Sequence, residues 1–132
     1  METLSIANDI KRKAHELGYD LCGTIPADSL KEYAVYLEKR IERFPKSRHF
    51  YEKLYDLGSP EKKEQWAKSI VVCVRRYSKY RIPPEISKYF GKVYLFNGRL
   101  THSEEYRSAI LFEEYLRSLG LKFFKDFTAA RW

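Results

Sequence analysis

The run Ser69-Ile70-Val71-Val72-Cys73-Val74 decides how this chain of 132 residues folds. It is rich in β-branched residues and almost continuously apolar, the pattern of a strand covered on both faces in the middle of a sheet. On its N-terminal side, Ser59-Pro60-Glu61 predicts a helix start, with Ser as N-cap and Pro at the first helical position. That helix is short and runs into Trp66-Ala67-Lys68. On its C-terminal side lies Arg75-Arg76-Tyr77-Ser78-Lys79-Tyr80-Arg81-Ile82-Pro83-Pro84, a basic, tyrosine-rich loop that the two prolines hold extended.

Working outward, Leu4, Ile6, Ala7, Ile10, Ala14 and Leu17 form a helical stripe over residues 3–17, with Gly18 as its stop. Residues 19–25 read as a short buried strand. After Pro26, Asp28 or Ser29 is placed to cap a helix carrying Leu30, Tyr33, Ala34, Leu37 and Ile41 on one face. Pro45 ends it, and residues 46–57 are expected to make a helical turn or two. Asn97-Gly98 is a turn signal. The strongest helical pattern covers 103–118 and ends at Gly120, and residues 121–124 would be the next strand. The order reads helix, strand, helix, helix, strand, loop, helix, strand, so the expected class is α/β or α+β: one mixed sheet flanked by helices, in a single domain spanning residues 1–132.

Hydrophobic residues make up 44% and charged residues 33% of the chain, which argues for a globular protein over a disordered one. At this length roughly two-thirds of the unfolded surface can be buried. No apolar run approaches the roughly 20 residues that cross a bilayer. The opening Met1-Glu2-Thr3-Leu4-Ser5 has neither a basic nor an apolar export region, so no membrane association and a cytoplasmic location are expected. The net charge is +7 with eleven tyrosines. Basic charge interleaved with tyrosine suits a polyanion such as tRNA, but charge alone is a weak signal and more often marks a solvated basic surface with tyrosines packed at the core rim. Arg75, Arg76, Lys79 and Arg81 form the densest basic run, the candidate for phosphate contacts.

Cys22 and Cys73 each sit inside an apolar segment. With no CxxC and no Cys–His cluster at ligand spacing, they read as buried thiols acting as small hydrophobes, and no metal ligand set is predicted. His15, His49 and His102 carry no metal-binding spacing. Phosphate-cradling glycine motifs are missing as well.

The last stretch, Leu119-Gly120-Leu121-Lys122-Phe123-Phe124-Lys125-Asp126-Phe127-Thr128-Ala129-Ala130-Arg131-Trp132, reads as a helix end, a short strand and the opening of another element. It is read as the mark of a fragment of a larger enzyme. An incomplete sheet would leave an edge that favours association, so a homodimer is compatible with this reading.

Four stretches together resemble the epoxyqueuosine reductases and related cobalamin-dependent iron–sulfur reductases. Ile10-Lys11-Arg12-Lys13-Ala14-His15-Glu16-Leu17-Gly18-Tyr19-Asp20-Leu21-Cys22-Gly23 is similar to their opening helix, Gly-aromatic-Asp turn and strand ending in Gly. Trp66-Ala67-Lys68-Ser69-Ile70-Val71-Val72-Cys73-Val74, closed by Tyr77, is similar to their Ala-Lys-Ser strand and its following tyrosine. Tyr94-Leu95-Phe96-Asn97-Gly98-Arg99-Leu100-Thr101-His102-Ser103-Glu104-Glu105-Tyr106 falls where that family has an aromatic-Gly-Asp-Tyr-His region before a long helix. Asp126-Phe127-Thr128-Ala129-Ala130-Arg131-Trp132 resembles the segment leading to its Ala-Gly-Leu-Gly turn. The family's Asp-Tyr-His stands here as Glu105-Tyr106-Arg107, so that histidine has no counterpart.

The resemblance implies the N-terminal part of an oxidoreductase domain with a nitroreductase-like fold that binds cobalamin. The [4Fe–4S] clusters would lie in a ferredoxin-like module beyond Trp132, tRNA would be the substrate, and an iron–sulfur donor would supply electrons. Such a chain would not turn over alone. Asp126 falls near the family's proton donor, and beside a corrin ring its carboxyl would be raised in pKa and deliver a proton. Tyr77 and Tyr106 would line the flat cofactor. The same three residues also fit blander roles: a surface carboxylate in a turn, and rings packed at the core rim. Two other functions remain open on the residues alone: a stand-alone module binding a corrinoid or another flat ligand, and a basic RNA-binding accessory domain.

Overall fold

Ile10 and Ala14, one helical turn apart, are buried at 5% and 0% exposure and carry the stripe that the sequence predicts. The computed structural model describes residues 2–28, 30–58, 64–77, 80–91 and 102–125. Along them run α1 (Glu2–Glu16), β1 (Leu21–Pro26), α2 (Lys31–Arg43), α3 (Arg48–Glu52), β2 (Ser69–Val74) and α4 (Glu104–Ser118). Tight 3-10 turns at Pro45–Ser47 and Tyr55–Gly58 flank α3. The class is mixed α+β. No helix among the described residues is long and apolar enough to cross a membrane.

The chain divides into two compact units. One takes Met1–Gly23 with Val72–Lys122, and the other Thr24–Val71 with Phe123–Trp132. In the first, α1 packs on α4, and Ile10, Ala14, Phe112 and Leu116 form the core. Both helices end alike. Gly18 at φ 90 and Gly120 at φ 73 adopt the left-handed conformation that a residue with a Cβ resists. Tyr19 N–H donates to Ala14 O and Gly18 N–H to His15 O, each at 3.0 Å. Leu121 N–H to Leu116 O at 3.2 Å and Gly120 N–H to Arg117 O at 2.9 Å repeat the arrangement. These paired bonds satisfy carbonyls that a helix end otherwise leaves without partners. At its other end α4 is capped by Ser103, whose Oγ accepts from Tyr106 N–H at 3.1 Å.

In the second unit Leu37 and Ile41 project from one side of α2 and, with Ala27 and Leu54, make the core. Tyr55 donates its hydroxyl hydrogen bond to Glu38, tying the second 3-10 turn to α2. Phe44 N–H donates to Arg40 O at 2.8 Å, and the helix stops one residue short of Pro45, whose fixed φ suits the tight turn that follows. The N-cap of α2 is Leu30, with no side-chain hydrogen bond, so Asp28 is not the predicted cap; Ser29 lies outside the described residues.

β1 and β2 pair antiparallel, with Ala27 N–H donating to Lys68 O at 3.0 Å and Asp20 N–H to Val74 O at 2.9 Å. Between these two bonds Cys22 and Cys73 face each other across the ladder, with their sulfurs 3.7 Å apart. Three expectations need correcting. The described sheet is a two-stranded antiparallel pair rather than a mixed sheet. β2 is half exposed, with Val72 and Val74 open to solvent, where its run of apolar residues predicted cover on both faces. Residues 121–125 are irregular and form no strand, because the glycine cap of α4 turns the chain there without a described strand to pair with. The helix start at Ser59-Pro60 and the turn at Asn97-Gly98 lie outside the described residues.

Candidate functional site

The chain leaving β2 alternates in direction, and that alternation sorts the basic run. Arg75 turns inward. Its side chain is 3% exposed, and its Nη2 donates to Leu17 O and to Ser108 Oγ, each at 2.8 Å. Its Nη1 reaches Glu104 Oε1 at 3.3 Å, and the guanidinium lies over the Tyr19 ring at 5.1 Å. Ser108 Oγ also donates to Leu17 O at 2.9 Å, so the end of α1, the start of β2's exit and α4 meet at one buried cation. Gly18 lies directly beneath it: a Cβ there would come within 3.2 Å of Arg75 Nη2.

Arg76 turns outward, with its side chain 77% exposed. Its backbone N–H donates to Asp20 Oδ2 at 2.7 Å and its Nε pairs with Asp20 Oδ1 at 3.7 Å. Gly18, Tyr19 and Asp20 thus each meet the Arg75-Arg76 dipeptide. Burial pushes the Tyr19 hydroxyl up from its ordinary pKa, the neighbouring Cys73 adds to the rise, and Arg75 opposes it.

Tyr77 is 49% exposed, and its carbonyl accepts from Tyr80 N–H at 3.2 Å. Arg81 is exposed and opens a shallow surface depression of about 630 Å³, lined also by Ile82, Pro83, Pro84, Ser87 and Phe90. Beside it Lys88 lies over the Tyr89 ring at 4.9 Å. This stretch offers apolar and aromatic faces with guanidinium and ammonium groups at their edges. Such a surface can hold a planar ligand that bears amide or phosphate arms.

The remaining predicted residues are dispersed. Tyr106 is half-buried in the first turn of α4, and among the described residues no ring contact or hydrogen bond joins it to Tyr77. Lys79 and Asp126 lie outside the described residues. Arg75 is committed to internal partners, so Arg76 and Arg81 are the described members of the basic run with exposed side chains. No three His, Cys, Asp or Glu side chains converge among the described residues.

Reading the sequence alone missed Ser108, Tyr89 and Phe90, and it missed the pairing of the cysteines. Ile86, Tyr89 and Phe90 follow the prolines at helical spacing and are all exposed, a signal that was available. Comparison of the chain with models of known protein families, with curated proteins and with solved structures finds no match.

Proposed function

We propose that this chain is the N-terminal part of a cobalamin-dependent iron–sulfur reductase resembling epoxyqueuosine reductase, with a nitroreductase-like domain and tRNA as substrate. One observation carries the reading. The Gly18-Tyr19-Asp20 turn, part of the first stretch on which the resemblance rests, contacts Arg75 and Arg76, which link the second stretch, Trp66–Val74, to the Tyr77 that closes it. Motifs far apart in sequence that meet in space form one structural feature, which favours a shared architecture over a chance likeness of short apolar strings.

The residues present fit one wall of a corrin site. Tyr77 follows directly on this contact with a half-exposed ring, and the depression over residues 81–90 presents apolar faces beside Arg81. Tyr77 would bind and orient the macrocycle with its ring, while Arg81 would hold an amide or phosphate arm. The bound corrin would supply a cobalt centre that changes oxidation state. A cysteine-held [4Fe–4S] cluster takes four thiolates, and the chain has two cysteines, so electrons would arrive from clusters held outside it. Arg76 would meet the phosphates of tRNA, with Asp126 as the proton donor.

Titration with hydroxocobalamin tests the proposal, following the corrin absorption bands and co-elution on a sizing column. Saturable binding with a spectral shift, weakened by Tyr77→Ala, is the expected result. A folded chain that leaves the spectrum unchanged with the cofactor in excess refutes it.

A further inference from the structure

Cys22 and Cys73 are the chain's two cysteines, and 51 residues separate them in sequence. The ladder brings their sulfurs to 3.7 Å. Side chains that face each other on an antiparallel pair lie close enough to interact. A disulfide needs its sulfurs at about 2.05 Å and its Cβ atoms roughly 3.5–4.5 Å apart, which rotation of two side chains across such a pair can meet without moving the backbone. Neither thiol is sealed in the core, since both are half-buried.

We propose that Cys22 and Cys73 form an intramolecular disulfide, installed by low-molecular-weight disulfides of the glutathione class and removed by the corresponding thiols. The chemistry is thiol–disulfide exchange. The thiolate of Cys22 attacks one sulfur of glutathione disulfide, and the S–S bond breaks to release one glutathione thiolate. The thiolate of Cys73 then attacks the Cys22 sulfur of the mixed disulfide and expels the second glutathione. Two electrons pass from the protein to the glutathione pair, and the two thiol protons end on the released glutathiones. Burial and the neighbouring Cys22 push the Cys73 thiol up to about 12, which leaves it little thiolate for the second step. There its partner sulfur is held across the ladder, and proximity offsets a small thiolate fraction.

This inference is independent of the cofactor reading, because it rests on the two facing, half-buried sulfurs. The competing state is a pair of packed thiols that stay reduced, each acting as a small apolar side chain.

The test equilibrates the full reduced chain, under anaerobic conditions, with glutathione and glutathione disulfide in ratios from mostly reduced to mostly oxidised. Free thiols are then trapped with a maleimide, and the products are mapped by peptide mass spectrometry. The expected result is a two-electron transition to a monomer that has lost two hydrogens and carries a Cys22–Cys73 crosslink. Cys22→Ser and Cys73→Ser should each abolish the crosslink and stop at a single glutathione adduct. Should either variant fail to fold, the wild-type map decides by itself. Two thiols still open to maleimide in the most oxidising mixture would overturn the proposal, as would a product that is an intermolecular dimer or a double glutathione adduct.

Discussion

Replacing Arg75 should loosen the first unit more than any other change to a charged residue of the basic run. Its Nη2 makes two short bonds, to Leu17 O and Ser108 Oγ at 2.8 Å, and charge-assisted bonds contribute about 1.5–3 kcal/mol each. Stacking on Tyr19 at 5.1 Å adds about 1 kcal/mol. Against these stands the desolvation of a guanidinium, an effective cost of several kcal/mol. It is sharpened because Nε is buried without a hydrogen-bond partner among the described residues. Leu17 O keeps its bond from Ser108 Oγ when the arginine goes, so it is not orphaned. The balance for Arg75→Met, which keeps much of the volume, is a loss of about 3 kcal/mol. Glu104 supplies the ionic partner but is 69% exposed, so Glu104→Gln should cost less than about 1 kcal/mol. Urea unfolding followed by far-UV circular dichroism measures both, through the midpoint at constant slope. Equal losses for the two variants, or a wild-type midpoint for Arg75→Met, would refute the view that hydrogen bonding and burial of Arg75, rather than its ion pair, hold this junction.

Gly18→Ala meets two penalties at once, a φ of 90 and a Cβ placed 3.2 Å from Arg75 Nη2, and should lower stability by about 1–3 kcal/mol in the same assay. Alkaline stability should report Cys73. Its thiol ionises near 9.0 when free of its surroundings and near 12 in the fold, so between those values the unfolded chain holds fewer protons than the folded one. Stability is therefore intact below about pH 9 and falls as pH rises towards 12. Cys73→Ser should flatten that decline, leaving the share due to Tyr19 and Tyr55, whose pKa values are also raised. The oxidised chain, with its crosslink spanning 51 residues, should resist urea by up to about 4 kcal/mol more than the reduced chain, a difference that added dithiothreitol removes.

How legible the fold was depended on the reach of each interaction. Gly18 and Gly120 were readable as helix stops because a Schellman cap is built within six residues, and the stripe through Ile10 and Ala14 was readable because a helix repeats its own period. Ser103 as the opening of α4 rests on the same local logic. Partners of β2 were less legible: a run of valines reports burial preference and says nothing of how many strands flank it, so the half-exposed pairing of Val72 and Val74 could not be foreseen. Leu121, Phe123 and Phe124 have strand composition, yet the cap that closes α4 determines their path. At the candidate site the basic run was found, but the direction of each side chain was not. Whether Arg75 or Arg76 points inward depends on Gly18 and Ser108, respectively 57 and 33 positions away in sequence, and no local pattern encodes that. Cys22 and Cys73 would have been found from the register alone, had the pairing of the two strands been assumed.

The bond from Ser108 Oγ to Leu17 O joins residues 91 apart. During synthesis at roughly 5–20 residues per second, α1 leaves the ribosome on the order of 5–20 seconds before the helix that covers it exists. Ile10 and Ala14 spend that interval without their native neighbours, while the segment that builds most of the second unit emerges and can collapse around Leu37 and Ile41. The nascent chain therefore has an order: the core around Leu37 and Ile41 can form before the closure around Arg75. A chaperone that shields short amphipathic helices would find its substrate in the first two dozen residues.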